Sequence, residues 1–107
     1  MQQKLTLSAE QFVVLSIITL AKKGLAVSEI AKEAEKIGLQ FSNQSLANIA
    51  SRLYRDNLVS IKMSAPRPIV GGYPRKLYQI NKKGLHELET TGKFFLLLLS
   101  MKSAESE

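Results

Sequence analysis

The stretch Gly72-Tyr73-Pro74-Arg75-Lys76-Leu77-Tyr78-Gln79-Ile80-Asn81-Lys82-Lys83-Gly84 changes character once. Arg75 to Ile80, with Leu77 and Tyr78 at its centre, reads as a strand. Asn81 then stands where a helix N-cap belongs, ahead of Lys82-Lys83-Gly84-Leu85. Just upstream, Leu58-Val59-Ser60-Ile61-Lys62-Met63 alternates apolar and polar residues, the period of a half-buried strand. Between the two runs lie Pro66, Pro68, Gly71, Gly72 and Pro74, which give an irregular loop. The expected unit is a hairpin with a long tip that feeds directly into a helix.

N-terminal to this hairpin the period is helical. Ser42 caps a helix that runs to about Asp56, and Asn57 tolerates the left-handed conformation at a helix end. Leu39-Gln40-Phe41 is a turn, and Gly38 is the C-cap of a preceding helix that starts at Val27 or Ser28. Ile30, Ala31, Ala34 and Ile37 give that helix one apolar face. Ser8 and Gln11 form a capping-box signature for a first helix, Ala9 to Lys22, apolar on nearly every side and ended by Gly24. Leu25-Ala26-Val27 is a candidate short strand. After the hairpin, Gly92 is a candidate interruption of the last helix, and Phe94 to Met101 is a dense apolar block before a polar tail. Helix, helix, helix, strand, loop, strand, helix predicts a mostly α chain with a small β-hairpin (α+β). The layout is a winged helix–turn–helix with a C-terminal dimerisation helix. The expected division is residues 1–90 for the winged domain and 91–107 for the dimerisation segment and tail.

Composition narrows the function classes. The chain has 107 residues, 45% of them hydrophobic, enough for one small domain. It has no cysteine, so disulfides, thiolate metal sites and cysteine nucleophiles are excluded. His86 is the single histidine, which rules out a His-pair metal site. No phosphate loop, metalloprotease motif or Ser/His/Asp set is present, so neither catalysis nor a cofactor is expected. Met1 to Leu7 is too short and polar for a signal peptide, and no run is long enough to span a bilayer. A cytoplasmic location and no membrane contact are the expectation.

Charge is concentrated. The net charge is +6, yet Lys36 to His86 holds nine basic residues against the single acid Asp56. The rest of the chain is therefore slightly acidic, and one region carries the positive potential that nucleic acid would meet.

The third helix supplies the expected reader. At about 100° per residue, Leu46, Ile49, Ala50 and Leu53 share a core face. The opposite face presents Gln44, Asn48, Ser51 and Arg55, flanked by Ala47 and Arg52. Asn and Gln can pair with adenine, and Arg with guanine, in the major groove. Asn43, Gln44, Ala47 and Asn48, near the helix N-terminus, are expected at base edges, with Ser45 and Ser51 beside them. Arg52 and Arg55 are expected at phosphates, and Lys62 is a further candidate DNA contact. Arg67, between Pro66 and Pro68, suits insertion into a minor groove. Alternation along the strand sends Arg75 and Lys76 to opposite faces, one reaching a phosphate while the other packs its stem. Tyr78 is expected in the core.

The residues of the opening stretch resemble the PadR family of winged-helix regulators, whose pattern there is Gly-x-Pro-Arg-Lys-x-Tyr-x-Leu-Thr-x-x-Gly. Here Ile80 stands for the Leu and Asn81 for the capping Thr. Ser45-Leu46 with Arg52-Leu53, then Asn57-Leu58-Val59, is similar to the family's recognition helix and the strand that follows it. At the second helix the family's Gly-Tyr-x-Ile is replaced by Val27-Ser28-Glu29-Ile30. The resemblance spans about residues 10–90. It implies a homodimer that represses transcription from a nearby operator, with a small-molecule effector compatible but indicated by no residue.

Phe94, Phe95, Leu96, Leu97, Leu98, Leu99 and Met101 cover every side of a helix. Such a segment must be buried all round. Phe12, Phe94, Phe95, Leu97, Leu98 and Met101 are the expected dimer contacts, and a monomer that tucks the segment against its own core is the alternative. Double-stranded DNA bound by a homodimeric regulator is the leading function. A partition adaptor on centromere-like DNA, a protein-contact winged helix and an RNA-binding version remain as alternatives.

Overall fold

A computed structural model describes residues 7–64 and 74–105, with side chains through Met101. The order is α1 (Ala9–Ile18), α2 (Val27–Lys36), α3 (Asn43–Arg55), β1 (Val59–Met63), β2 (Lys76–Ile80) and α4 (Lys82–Glu105). The expected α+β architecture is present, and among the described residues no helix is long and apolar enough to cross a membrane.

Local chemistry sets each start. Ser8 Oγ accepts the Gln11 N–H at 3.2 Å, and the Gln11 carboxamide oxygen accepts the Ser8 N–H at 2.9 Å, completing the capping box of α1. Ser42 Oγ accepts the Ser45 N–H at 3.0 Å at the start of α3. Asn81 Oδ1 accepts the Gly84 N–H at 2.8 Å at the start of α4. At α2 only half of a box exists: Glu29 Oε1 accepts the Ala26 N–H at 3.0 Å, and Ala26 has no side-chain oxygen to accept in return.

The ends depart further from the sequence expectations. The α1 helix stops at Ile18, not Lys22. The N–H groups of Leu20 and Ala21 turn to the carbonyls of Ile17 and Ile18, and the Thr19 hydroxyl bonds the Ser16 carbonyl, so the helix tightens and closes. Gly24, at φ +91°, then brings Leu25 under β2. Leu25 and Tyr78 exchange both backbone bonds, at 3.0 and 2.8 Å, but Ala26 already caps α2. The strand expected over 25–27 is therefore a one-residue bridge. Ile37 is not on the buried face of α2; it lies beyond the helix end and is 64% exposed. Gly92 does not interrupt the last helix, which continues from Lys82 through the residue-90 boundary to Glu105.

The two strands pair antiparallel, Val59 with Ile80 and Ile61 with Tyr78. Val14, Leu15 and Ile18 of α1, Ile30 and Ala34 of α2, and Leu46, Ala50 and Leu53 of α3 form the core, closed by Leu58, Val59 and Tyr78. Tyr78 is buried as expected. Gly84 sits directly on the α3–β1 junction, where an added Cβ would overlap the Leu58 carbonyl oxygen. Lys83 Nζ donates to the Asp56 carbonyl at 3.1 Å, satisfying the C-terminal end of α3.

Candidate nucleic-acid interface

The α3 helix turns its apolar face inward and its polar face out. Leu46, Ala50 and Leu53 are fully buried and Ile49 is half-buried. Asn43, Gln44, Ser45, Asn48, Ser51, Arg52 and Arg55 are exposed, and Ala47 is half-buried at the edge. The outward surface thus carries amides, hydroxyls and arginines, with no carboxylate before the C-cap Asp56. Gln44 Nε2 donates to Asn48 Oδ1 at 3.2 Å, so the two amides one turn apart hold each other and leave the Asn48 NH2 turned away from that bond. The Ser45 hydroxyl accepts from Ser42 Oγ at 2.9 Å, so this candidate reader is also part of the cap.

Two hollows flank this helix. On one side Asn48, Ile49, Arg52 and Asp56 face Leu7, Ser8 and Gln11 at the start of α1. On the other, Ala47 and Ser51 face Ala26, the N-cap of α2, with Val27 and Ser28 of α2 and Arg75, Lys76 and Tyr78 of the hairpin. The base of the hairpin and the N-terminus of α2 therefore share one surface with the candidate reading helix.

The basic residues fall unequally. Lys62 is exposed next to the end of β1, opposite Leu77. Lys76 is exposed at the start of β2, opposite Met63. Arg75 stands one residue before β2, where the Ser64 N–H still pairs with its carbonyl; it is half-buried and Lys76 is exposed, and both border the same hollow. Its backbone is held by Ser64: the Arg75 N–H donates to Ser64 Oγ at 2.8 Å, and the Ser64 N–H to the Arg75 carbonyl at 2.8 Å. Its guanidinium reaches to 3.9 Å from Glu29. Arg67, with Pro66, Pro68 and Tyr73, lies outside the described residues.

Two residues of this surface escaped the sequence reading. Glu29 lies outside the basic interval by position, yet the fold carries its carboxylate onto the same face. Ser64 is an ordinary loop serine until the hairpin closes. A short-range signal existed for Glu29 alone, since a Glu three residues after a helix start is a capping residue.

No family model and no curated sequence matches the chain. Solved structures do match. A PadR-like transcriptional regulator from Bacillus cereus superposes with a TM-score of 0.75 at 21% identity, covering 92% of this chain and 91% of that one. A Streptococcus transcriptional regulator gives 0.76 at 15% identity over 99% of this chain and 100% of the other. Bacillus subtilis PadR, in complex with operator DNA, gives 0.66 at 10% identity over 78% of this chain and 46% of that one. The chain has the winged helix–turn–helix fold of the PadR-like transcriptional regulators.

Proposed function

We propose that this protein is a homodimeric, sequence-specific regulator of transcription that binds double-stranded DNA and represses by occupying an operator. The observation that carries the reading is the outward face of α3, polar, carboxylate-free and continuous with Lys76 at the wing base. In this arrangement α3 enters the major groove, Asn48 and Gln44 read base edges, and Arg52, Arg55, Lys62 and Lys76 neutralise phosphates. Two structural neighbours, Bacillus subtilis PadR and Staphylococcus aureus MepR, were solved with DNA, which supports the same use of the fold here.

The salt response tests the mode of binding. Several phosphate contacts per subunit should lower affinity at least about tenfold between roughly 50 and 200 mM salt. A flat anisotropy titration over that range removes the DNA reading.

Asn48→Ala tests the reader. It deletes the amide that Gln44 orients, so discrimination at one base pair should fall by about 1–3 kcal/mol. Thermal stability should hold, because Asn48 is exposed. Equal weakening against all sequences would move Asn48 from reading to mere positioning.

The homodimer is supported by α4. Its C-terminal half does not fold back onto this chain's core, which disfavours the self-tucked monomer: Leu96 is 68% and Leu99 63% exposed, and Leu97, Leu98 and Met101 are exposed beside them. Phe12 and Phe95 meet edge to face, ring centres 5.2 Å apart, where α1 meets α4. Phe94 is half-buried nearby. A largely apolar hollow, with Phe12, Val13, Ile17, Leu20 and Ile37 beside the Glu33–Lys36 ion pair, runs along α1 and past the end of α2. Residues 91–107 are accordingly proposed as the dimerisation segment, with Phe12, Phe94, Phe95, Leu97, Leu98 and Met101 at the contact.

A further inference from the structure

We propose that Arg75 is a positioning residue and not a phosphate contact: with Glu29 it forms a strut that ties the root of the wing to the first turn of α2. Its consequence for DNA rests on the reading above, whereas the strut itself belongs to the free protein.

Both ends of the strut are fixed. Glu29 Oε1 is engaged with the Ala26 N–H at 3.0 Å, which locks the carboxylate onto the start of α2. Arg75 is clamped through its backbone to Ser64 in both directions, which locks it to the end of β1. Its Nε is buried and has no hydrogen-bond partner, and it borders the hollow lined by Ala26, Ser51 and Tyr78, while the side chain as a whole is 37% exposed. A buried donor left unpaired is unfavourable. Glu29 is the carboxylate in ion-pair range of the guanidinium, at 3.9 Å.

The wing needs such a reference. The sheet has two strands of five residues each, plus the single bridge at Leu25. A two-stranded ribbon is marginal alone, and its angle depends on what its root touches. Lys76, next to Arg75 and exposed, has no carboxylate in ion-pair range among the described residues. The two cations of the wing base thus divide their work: Lys76 meets phosphate, and Arg75 aims the hairpin that carries it.

Glu29→Gln separates the strut from a bystander charge by the sign of the effect. The glutamine oxygen still accepts the Ala26 N–H, so the start of α2 is kept. A carboxylate that merely sits near DNA repels phosphate, and removing it would tighten binding. A strut predicts the reverse, a loss of about three- to tenfold for Glu29→Gln and for Arg75→Gln. The double variant should lose no more than either single variant. In the DNA-free protein, the Ser64 and Arg75 amides should exchange with solvent about fivefold faster in Glu29→Gln, with the α1 amides unchanged. Tighter binding, additive losses, or unchanged exchange at Ser64 and Arg75 overturns the proposal. If neither wild type nor variant binds DNA, the DNA reading falls, and the exchange ratio alone decides the strut.

Discussion

Gly84→Ala is expected to destabilise the protein by at least about 3 kcal/mol, a large part of the stability of a small domain. Gly84 is helical, so its conformation is open to alanine, and alanine would ordinarily strengthen a helix. The obstacle is proximity. A Cβ here overlaps the Leu58 carbonyl oxygen and lies 3.0 Å from Ile80 Cγ1. A backbone oxygen cannot rotate aside, and this one also accepts the Asn81 N–H at 3.3 Å. Relief requires α4 to lift, which breaks the Asn81 cap and pulls Ile80 from Val59. Gly38→Ala is the contrast. Gly38 has φ +84° but nothing within 4 Å of an added Cβ, so only the left-handed strain of about 1–2 kcal/mol applies. Urea unfolding of both variants should rank them in that order. A Gly84→Ala protein within 1 kcal/mol of wild type would mean that the α3–β1 junction yields more easily than its hydrogen bonds suggest.

Gly84 also shows what the sequence discloses and what it hides. Its place at the end of the wing stretch is plain in the sequence, but what requires a glycine there, contact with a carbonyl 26 residues earlier, exists only once the chain is folded. Helix starts were legible because they are local: Ser8 with Gln11, Ser42 and Asn81 each bond an N–H within three residues. Helix ends were less so. Nothing local stops α1 before Lys22 as firmly as the need to turn Leu25 under Tyr78, a partner 53 residues away. Gly92 misled in the other direction. A glycine inside a helix costs only about 1 kcal/mol, and here it faces the Phe12 ring at 3.9 Å, close enough to explain why a small residue is useful without a break.

The candidate site divides the same way. The outward face of α3 follows from the 3.6-residue period, and every residue assigned to it is exposed, save half-buried Ala47 at its edge. At the wing base period two gives only that Arg75 and Lys76 differ; the Ser64 clamp on Arg75 and the Glu29 carboxylate 3.9 Å from its guanidinium are visible only in the folded chain. Counting charge along the chain singled out a basic interval but missed Glu29, which the fold brings to 3.9 Å from Arg75.

The other large effect is expected at α4. A chain cut after Gly92 should lose dimerisation and bind an operator at least about 100-fold more weakly than the intact chain, because two linked half-site contacts become independent. The 24-residue α4 is about 36 Å long. Its C-terminal half carries six consecutive large apolar residues, Phe94 to Leu99, of which Phe95 meets the Phe12 ring. Water contact along such a row is strongly unfavourable, and a contiguous apolar patch of this kind marks an interaction surface. A second copy offers both a matching row and the apolar hollow beside Phe12, and a twofold axis satisfies both copies at once. The truncation also removes the Phe12–Phe95 contact, so a lost dimer could reflect a weakened fold. Leu97→Glu with Leu98→Glu in the full chain avoids this, since both side chains are exposed on the single protomer. Light scattering should give twice the mass of one chain for the intact protein and the mass of one chain for the double variant, with the same helical circular dichroism per residue. Binding sites should then be symmetric, with half-site centres about 34–36 Å apart. An intact chain that remains monomeric at tens of micromolar would refute the dimer and leave the exposed row for a different protein.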